Sequence, residues 1–203
     1  AQAAADVLER WDRSFDAESV GSVLFTFWAM ALEPSILGPG RFPEDAYAVP
    51  PDPSQPFDTP MGLADARLAS SGLEFAARVV PQVFGTLEAP WGAFVHFRAG
   101  DHELPAFGQG WGPFGFGSIT PNLAIPQEDG ALVTMYGDTW VAVMEFSDPV
   151  RVMAVMPYGN ATQPGSSHVG DQLSLYVAKE YRPVWYARPE IEANLELHET
   201  LTR

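Results

Sequence analysis

Apolar residues in the first third of the chain recur at helical spacing. In "DAESVGSVLFTFWAMALEP", Val20, Leu24, Phe27 or Trp28, and Ala31 fall at i, i+4, i+7/8 and i+11, which predicts one apolar helix face. Asp16 is placed to cap the start, Glu18 suits the positive end of the helix dipole, and Pro34 stops the helix. A shorter helix is predicted over Ala3 to Arg10, with Leu8 and Trp11 facing inward. A second long helix is predicted over Leu63 to Val80, with Leu68, Phe75 and Val79 as its apolar stripe despite Gly72.

Between these helices the pattern fails. Residues 34–60 carry Pro34, Pro39, Pro43, Pro50, Pro51, Pro53, Pro56 and Pro60, and proline removes a donor and fixes φ, so neither helix nor central strand is expected. The segment reads as an extended wrapping arm pinned to a surface by Phe42, Tyr47, Val49 and Phe57.

From Trp91 onward the period drops to two. "WGAFVHFRAGDHELPAFG" predicts two short strands about a Gly100-Asp101 turn. "ALVTMYG", "TWVAVMEFS" and "VRVMAVMPYG" predict three more, broken at Gly137-Asp138 and Asp148-Pro149. Val141, Val143 and Glu145 alternate with Ala142, Met144 and Phe146, and the apolar character of both sets predicts a sheet covered on both sides. Helices over Leu173 to Glu180 and Pro189 to Leu197 finish the chain, the second started by a proline in its first turn. The 203 residues thus read as a single α+β unit: helices over 1–33, the arm over 34–60, a helix over 61–85, a β region over 91–160, and a loop with C-terminal helices over 161–203.

Charge and composition then narrow the function. A formal charge of −15 argues against nucleic acid, whose phosphates need a basic surface. No apolar run is long enough to span a bilayer. The absence of cysteine removes disulfides, thiolate metal sites and a thiol nucleophile. No cofactor and no metal is expected.

Three stretches carry candidate chemistry. "GQGWGPFGFG" matches G-x-G-x-x-G at Gly110, Gly112 and Gly115, but Pro113 and the absence of a following helix contradict a dinucleotide site, and a Gly/aromatic surface loop is the better account. His96 and His102, with Asp101 and Glu103, would suit a metal only if they faced one another across the hairpin; polar groups at the tip of an ordinary turn are the better account. "PYGNATQPGSSHVGDQLSLY" brings Ser166, Ser167, His168 and Asp171 together. Adjacent residues such as Ser167 and His168 diverge, and neither serine sits in a G-x-S-x-G elbow, so a self-contained triad is not expected. His168, Asp171 and Gln172 read instead as structural residues of the loop, with Asp171 capping the helix that begins near Gln172 and His168 fixing the turn by a bond to backbone.

That same stretch carries a likeness. "MPYGNATQPGSSHVGDQLSLYVAKEYRPVWYARPEIEANLE" resembles the C-terminal region of the penicillin acylase family, which includes acyl-homoserine lactone and aculeacin-type acylases. "LERWDRSFDAESVGSVLFTFW", "PFDTPMGLAD" and "WGAFVHFRAGDHELPAFGQGW" resemble other family segments in the same order, so the likeness spans nearly the whole chain. The resemblance implies a four-layer αββα N-terminal-nucleophile hydrolase sandwich, mainly antiparallel strands with flanking helices. It also implies a precursor that cleaves itself into α and β chains. The serine freed at the start of β attacks an amide, with its own α-amino group as base and backbone and Asn donors holding the oxyanion.

The departures bear on which part of such an enzyme this is. Ala1 has no nucleophilic side chain, and Gly21-Ser22, Gly117-Ser118 and Gly165-Ser166 are followed by Val, Ile and Ser where the family's processing site reads Gly-Ser-Asn. Ser167 also stands where the family has proline before His168. The resemblance therefore implies the C-terminal portion of a β subunit with no catalytic residue in this chain. Its partners would be the remaining α and β segments, its substrate a small acylated amide, and its compartment periplasmic or secreted. The competing expectation is a stand-alone acidic binding module that uses Trp111, Phe114 and Phe116 to hold a ligand or protein.

Overall fold

A computed structural model describes residues 2–32, 46–109, 120, 122–128 and 131–200. It is an α+β structure with mainly antiparallel sheets and flanking helices, divided into two compact units, Ala1–Asp138 and Thr139–Arg203.

The first unit begins with α1 (Gln2–Arg10), which buries Ala4 and Val7, with Leu8 and Trp11 only half-buried beside that face. Helix α2 (Ser22–Ala31) starts later than Asp16 suggests. Asp16 instead opens a turn closed by the Ser19 N–H, and Gly21, at φ +110°, turns the chain into the helix. Residues 17–20 are claimed elsewhere: Trp91 N donates to Ser19 O, Gly92 N donates to Ala17 O, and Val20 bridges Pro90. Long-range backbone bonds outrank the local capping preference here. Inside α2 the buried hydroxyls of Ser22 and Thr26 donate to Ser19 O and Ser22 O, so neither is left unsatisfied.

The proline-rich region differs from a pinned arm. Its described part doubles back as strands β1 (Tyr47–Val49) and β2 (Met61–Leu63), paired Tyr47↔Leu63 and Val49↔Met61. The Thr59 hydroxyl, bonded to the backbone of Asp52 and Gln55, ties the loop between them. Phe57 is 99% exposed and pins nothing, while Phe42 lies outside the described residues.

Helix α3 (Ala66–Phe84) is capped by Asp65, which accepts from Arg67 N and Leu68 N, and it tolerates Pro81 in its last turn before ending at Gly85. Its buried stripe is Gly72, Ala76 and Val80; Leu68 and Val79 are half-buried, and Phe75 is exposed under the Arg78 guanidinium. The small residues let α2 approach. A Cβ on Gly72 would lie 3.1 Å from the Trp28 ring, and Trp28 Nε1 donates to Ala69 O at 2.8 Å.

A four-stranded sheet completes the unit in the order β4-β3-β6-β5. Strands β3 (Val95–Ala99) and β4 (His102–Pro105) form the expected hairpin, and β5 (Leu123–Pro126) pairs antiparallel with β6 (Leu132–Tyr136). A parallel β3–β6 pairing joins the two halves, with Val95, Phe97 and Val133 in the core.

In the second unit β7 (Val141–Glu145) and β8 (Arg151–Val155) pair over Val141↔Val155 to Glu145↔Arg151, and β9 (Arg182–Pro183) adds to β8. Val152, Ala154, Val155 and Pro157, with Leu173 and Tyr176 of α4 (Leu173–Val177), form its core. The described residues leave one face of this sheet uncovered, where the sequence predicts cover on both sides. Val143 and Met153, opposed across the β7–β8 ladder, are 57% and 40% exposed, and Phe146 beyond β7 is exposed as well. Helix α5 (Arg188–Ala193) is shorter than predicted and buries no residue.

Candidate functional site

Tryptophans and polar residues from distant segments meet in the first unit. Trp11 Nε1 donates to Ser14 O at 3.0 Å and to Ser19 Oγ at 2.9 Å. The single Ser19 hydroxyl proton lies between Asp12 Oδ1 at 3.1 Å and Ser14 O at 2.9 Å. The Ser14 backbone N–H, then the Ser14 and Ser19 hydroxyls, hold the Asp12 carboxyl below the ordinary carboxylate range. Trp91 Nε1 donates to Gly108 O, and Gly108 N donates to Phe15 O. The segments at Trp11–Ser19, Trp91–Gly92 and Gly108 therefore form one structural junction. Its acid, Asp12, is engaged by the Ser14 N–H and by the Ser14 and Ser19 hydroxyls.

The hairpin histidines do not converge. His96 Nδ1 lies 2.7 Å from Glu103 Oε1, and Arg98 reaches Glu103 Oε2 at 2.9 Å. The His96 bond, then Arg98, hold the Glu103 carboxyl below its usual range. His102 pairs with Ala99, one register position from the Arg98↔Glu103 pair, so its side chain projects from the opposite face to His96. The four residues His96, Asp101, His102 and Glu103 thus do not gather, and among the described residues no cluster of three His, Asp or Glu side chains is poised to hold a metal.

The loop from Pro157 to Gln172 is built around a tight turn. Gly159, at φ +85°, donates to Met156 O, and a side chain there would collide with His168 O and Asp171 Oδ1. His168 Nδ1 stands 3.0 Å from Asp171 Oδ2 and Nε2 stands 3.4 Å from Glu196 Oε1. Asp171, then Glu196, raise the imidazole's proton affinity above the ordinary histidine range. The Ser166 hydroxyl accepts from His168 N at 3.2 Å, and Ser167 is exposed. A catalytic dyad needs a hydroxyl on an unprotonated ring nitrogen; both nitrogens here face carboxylates, so no Ser-His-Asp triad forms from this loop.

The loop's other assignments change in detail. Asp171 does not cap α4: Gln172 occupies the N-cap position without a side-chain cap bond, and Asp171 is turned to His168. His168 bonds to carboxylates through its ring rather than to backbone. Buried Gln172 is the organiser. Its Oε1 accepts from Met156 N at 3.1 Å and Arg182 Nε at 3.0 Å, and its Nε2 donates to Asn160 Oδ1 at 3.2 Å. One amide thereby joins the end of β8, the loop, α4 and β9. Nearby, burial pushes the Tyr158 phenol up to about 12, so it stays protonated.

Sequence reasoning missed a half-open groove of about 630 Å³ in the second unit, walled by Val150, Met153, Pro183, Trp185, Tyr186 and Glu190. The adjacent aromatics in "RPVWYARPE" were its sequence signal. No nucleophile lines it. His198 is exposed in the final segment, and Gly110, Trp111, Gly112, Phe114, Gly115 and Phe116 lie outside the described residues.

Comparison with known proteins follows the same lines. The family model of penicillin amidase matches residues 1–193. The chain is similar to acyl-homoserine lactone acylase PvdQ of Pseudomonas fluorescens (strain Pf0-1), 24% identical over 194 residues, covering 92% of this chain and 24% of that protein. PvdQ of Pseudomonas savastanoi pv. phaseolicola (strain 1448A / Race 6) is 24% identical over 149 residues, covering 70% of this chain and 19% of that protein. Among solved structures, a thermostable penicillin G acylase from Alcaligenes faecalis aligns at a TM-score of 0.42 and 15% identity, over 100% of this chain and 42% of its own. The chain spans about a quarter of the length of the first of these curated relatives.

Proposed function

Since the chain belongs to the penicillin amidase family, we propose that it is the C-terminal portion of the β subunit of an amide-hydrolysing acylase, of the penicillin or N-acyl-homoserine lactone type. The chain is then part of a four-layer αββα sandwich. An N-terminal serine on a segment outside this chain adds to the acyl amide carbonyl; its α-amino group takes the hydroxyl proton and returns it to the departing amine. Water then releases the acid. This mechanism uses no cofactor, and the present chain supplies scaffold, with no residue of its own in the chemistry. Its partners are the remaining α and β segments produced from the precursor, and the enzyme acts in the periplasm or outside the cell.

The observation that carries this reading is the open apolar face of the second unit. Val143 and Met153 lie side by side in solvent on a regular β ladder. Full burial of side chains of this size stabilises by about 1.5–3 kcal/mol each, so a sheet face of this kind ordinarily has a cover.

The test compares the chain alone with the chain purified from its natural source, by intact mass and by release of free acid from a penicillin and from an N-acyl-homoserine lactone. The 22.1 kDa chain should travel with larger companions, and that assembly should hydrolyse acylated amides. Val143→Lys should weaken the association while leaving the separate chain folded. Amide hydrolysis by the 22.1 kDa chain on its own would sink the reading.

A further inference from the structure

We propose that His168 is the closing group of a pH-sensitive clasp, holding the segment that follows α5 against the 157–172 loop through a three-member Asp171–His168–Glu196 bridge. The geometry fixes the charge state that the contact requires. Nδ1 faces Asp171 Oδ2 at 3.0 Å and Nε2 faces Glu196 Oε1 at 3.4 Å. A neutral imidazole carries a single N–H, so one of these contacts would set a ring lone pair against a carboxylate oxygen. Only the imidazolium donates to both. The clasp is therefore closed when His168 is charged and loses one side when it is not.

Helix α5 buries no residue, and residues 194–200 are all exposed. Polar contacts of α5 are internal: Arg188 to Glu192, Ala187 N to Glu190, and Asn194 to Glu190 O. Among the described residues, Glu196 to His168 is the one polar contact that ties residues 195–200 to the rest of the second unit. The other end of the bridge is rigid. Asp171 sits beside the Gly159 turn, and Gly170 N and Ala161 N are bonded to Tyr158 O and His168 O. A fixed loop thus presents a titrating ring to an exposed segment of chain.

The charged groups that face the imidazole are Asp171 from its own loop and Glu196 from the tail, and both favour the proton. The folded-state value is therefore raised above the ordinary 6.5. The contact is fully in place below 6.5 and is lost as pH rises through the raised value. Deprotonation frees the tail and leaves the loop, which its backbone bonds hold independently. This is a property of the chain itself and does not depend on the acylase reading.

The test follows two signals in one sample of the 203-residue chain: the His168 imidazole shift and the mobility of the Leu195 and Leu197 methyls, by carbon relaxation. Across the His168 titration the methyls should pass from restricted to mobile. The clasped-to-free ratio should fall about two- to fivefold, the range expected for an exposed ion pair. Glu196→Gln should leave those methyls mobile throughout and move the His168 midpoint downward; with its side chain exposed, this variant has no route to unfolding the unit. Methyl mobility that ignores the His168 titration, or an unchanged His168 midpoint in Glu196→Gln, would overturn the clasp.

Discussion

Replacing Gly21 by alanine tests the junction of the first unit at its tightest point. Gly21 sits at φ +110°, where an L side chain is strained, and a Cβ there would lie 2.6 Å from both Cβ and Cγ of Trp11. Those atoms are the stem of the indole and cannot swing aside. The ring is held by Ser14 O and Ser19 Oγ, and it packs on Phe25 at a centroid distance of 4.9 Å and edge-on to Phe15 at 5.7 Å. The backbone component costs about 1–2 kcal/mol, and overpacking against a fixed ring about 1–3 kcal/mol. Gly21→Ala should therefore lose roughly 2–5 kcal/mol, as the sum of these two components. Urea unfolding followed by tryptophan fluorescence reads the loss. The double variant Trp11→Gly/Gly21→Ala separates the causes, because removing both Cβ and the ring relieves the clash and leaves the backbone strain at residue 21. It should lose less than the sum of the single variants, by about the overpacking share. A Gly21→Ala loss below about 1 kcal/mol, or strict additivity in the double variant, would refute the reasoning.

Two further outcomes follow from the hydrogen-bond geometry. Gln172→Leu removes the acceptor for Met156 N and Arg182 Nε. It should destabilise the second unit by about 2–3 kcal/mol, with the Met156 amide losing protection from solvent exchange; an unchanged urea midpoint contradicts this. Asp12, held down by the Ser14 N–H first, should titrate below 3.8 by carboxyl carbon shift. Because its folded value is depressed, its contribution is present above 3.8 and is lost as pH falls through the lowered value, a dependence that Asp12→Asn abolishes. A midpoint at or above 3.8 contradicts the assigned bonds.

Legibility in the sequence followed the range of the interactions that decide each element. Strands β7 and β8 were readable because alternation and the Asp148-Pro149 break are local. Strand β5 was not: it is four residues long, ends in Pro126, and exists through its pairing with β6. The start of α2 was misplaced because Asp16 is a sound local cap, whereas Trp91 and Gly92, some seventy residues on, claim the backbone of residues 17–19. The α3 stripe was misread by weighing side-chain size. Gly72 and Ala76 are buried because smallness lets the neighbouring helix approach, and bulky Phe75 is left outside. At the site, the Ser-His-Asp composition of the 157–172 loop was rightly discounted on geometry. Glu196, the group that occupies the second nitrogen of His168, could not be found from spacing, since it lies beyond α4, β9 and α5.

The junction of the first unit also sets a schedule for synthesis. Phe15 O waits for Gly108 N, Ser19 O waits for Trp91 N, and Ala17 O waits for Gly92 N. A ribosome must therefore deliver most of the first unit before residues 11–21 can take their final form. Until then the segment with Trp11, Phe15 and Phe25 emerges with its partners unmade. The loops to be closed span seventy to ninety residues, and contacts of that separation form late and slowly. Until residue 108 has been made, the aromatic segment of residues 11–25 is thus open to non-native contacts that a chaperone's cover would prevent.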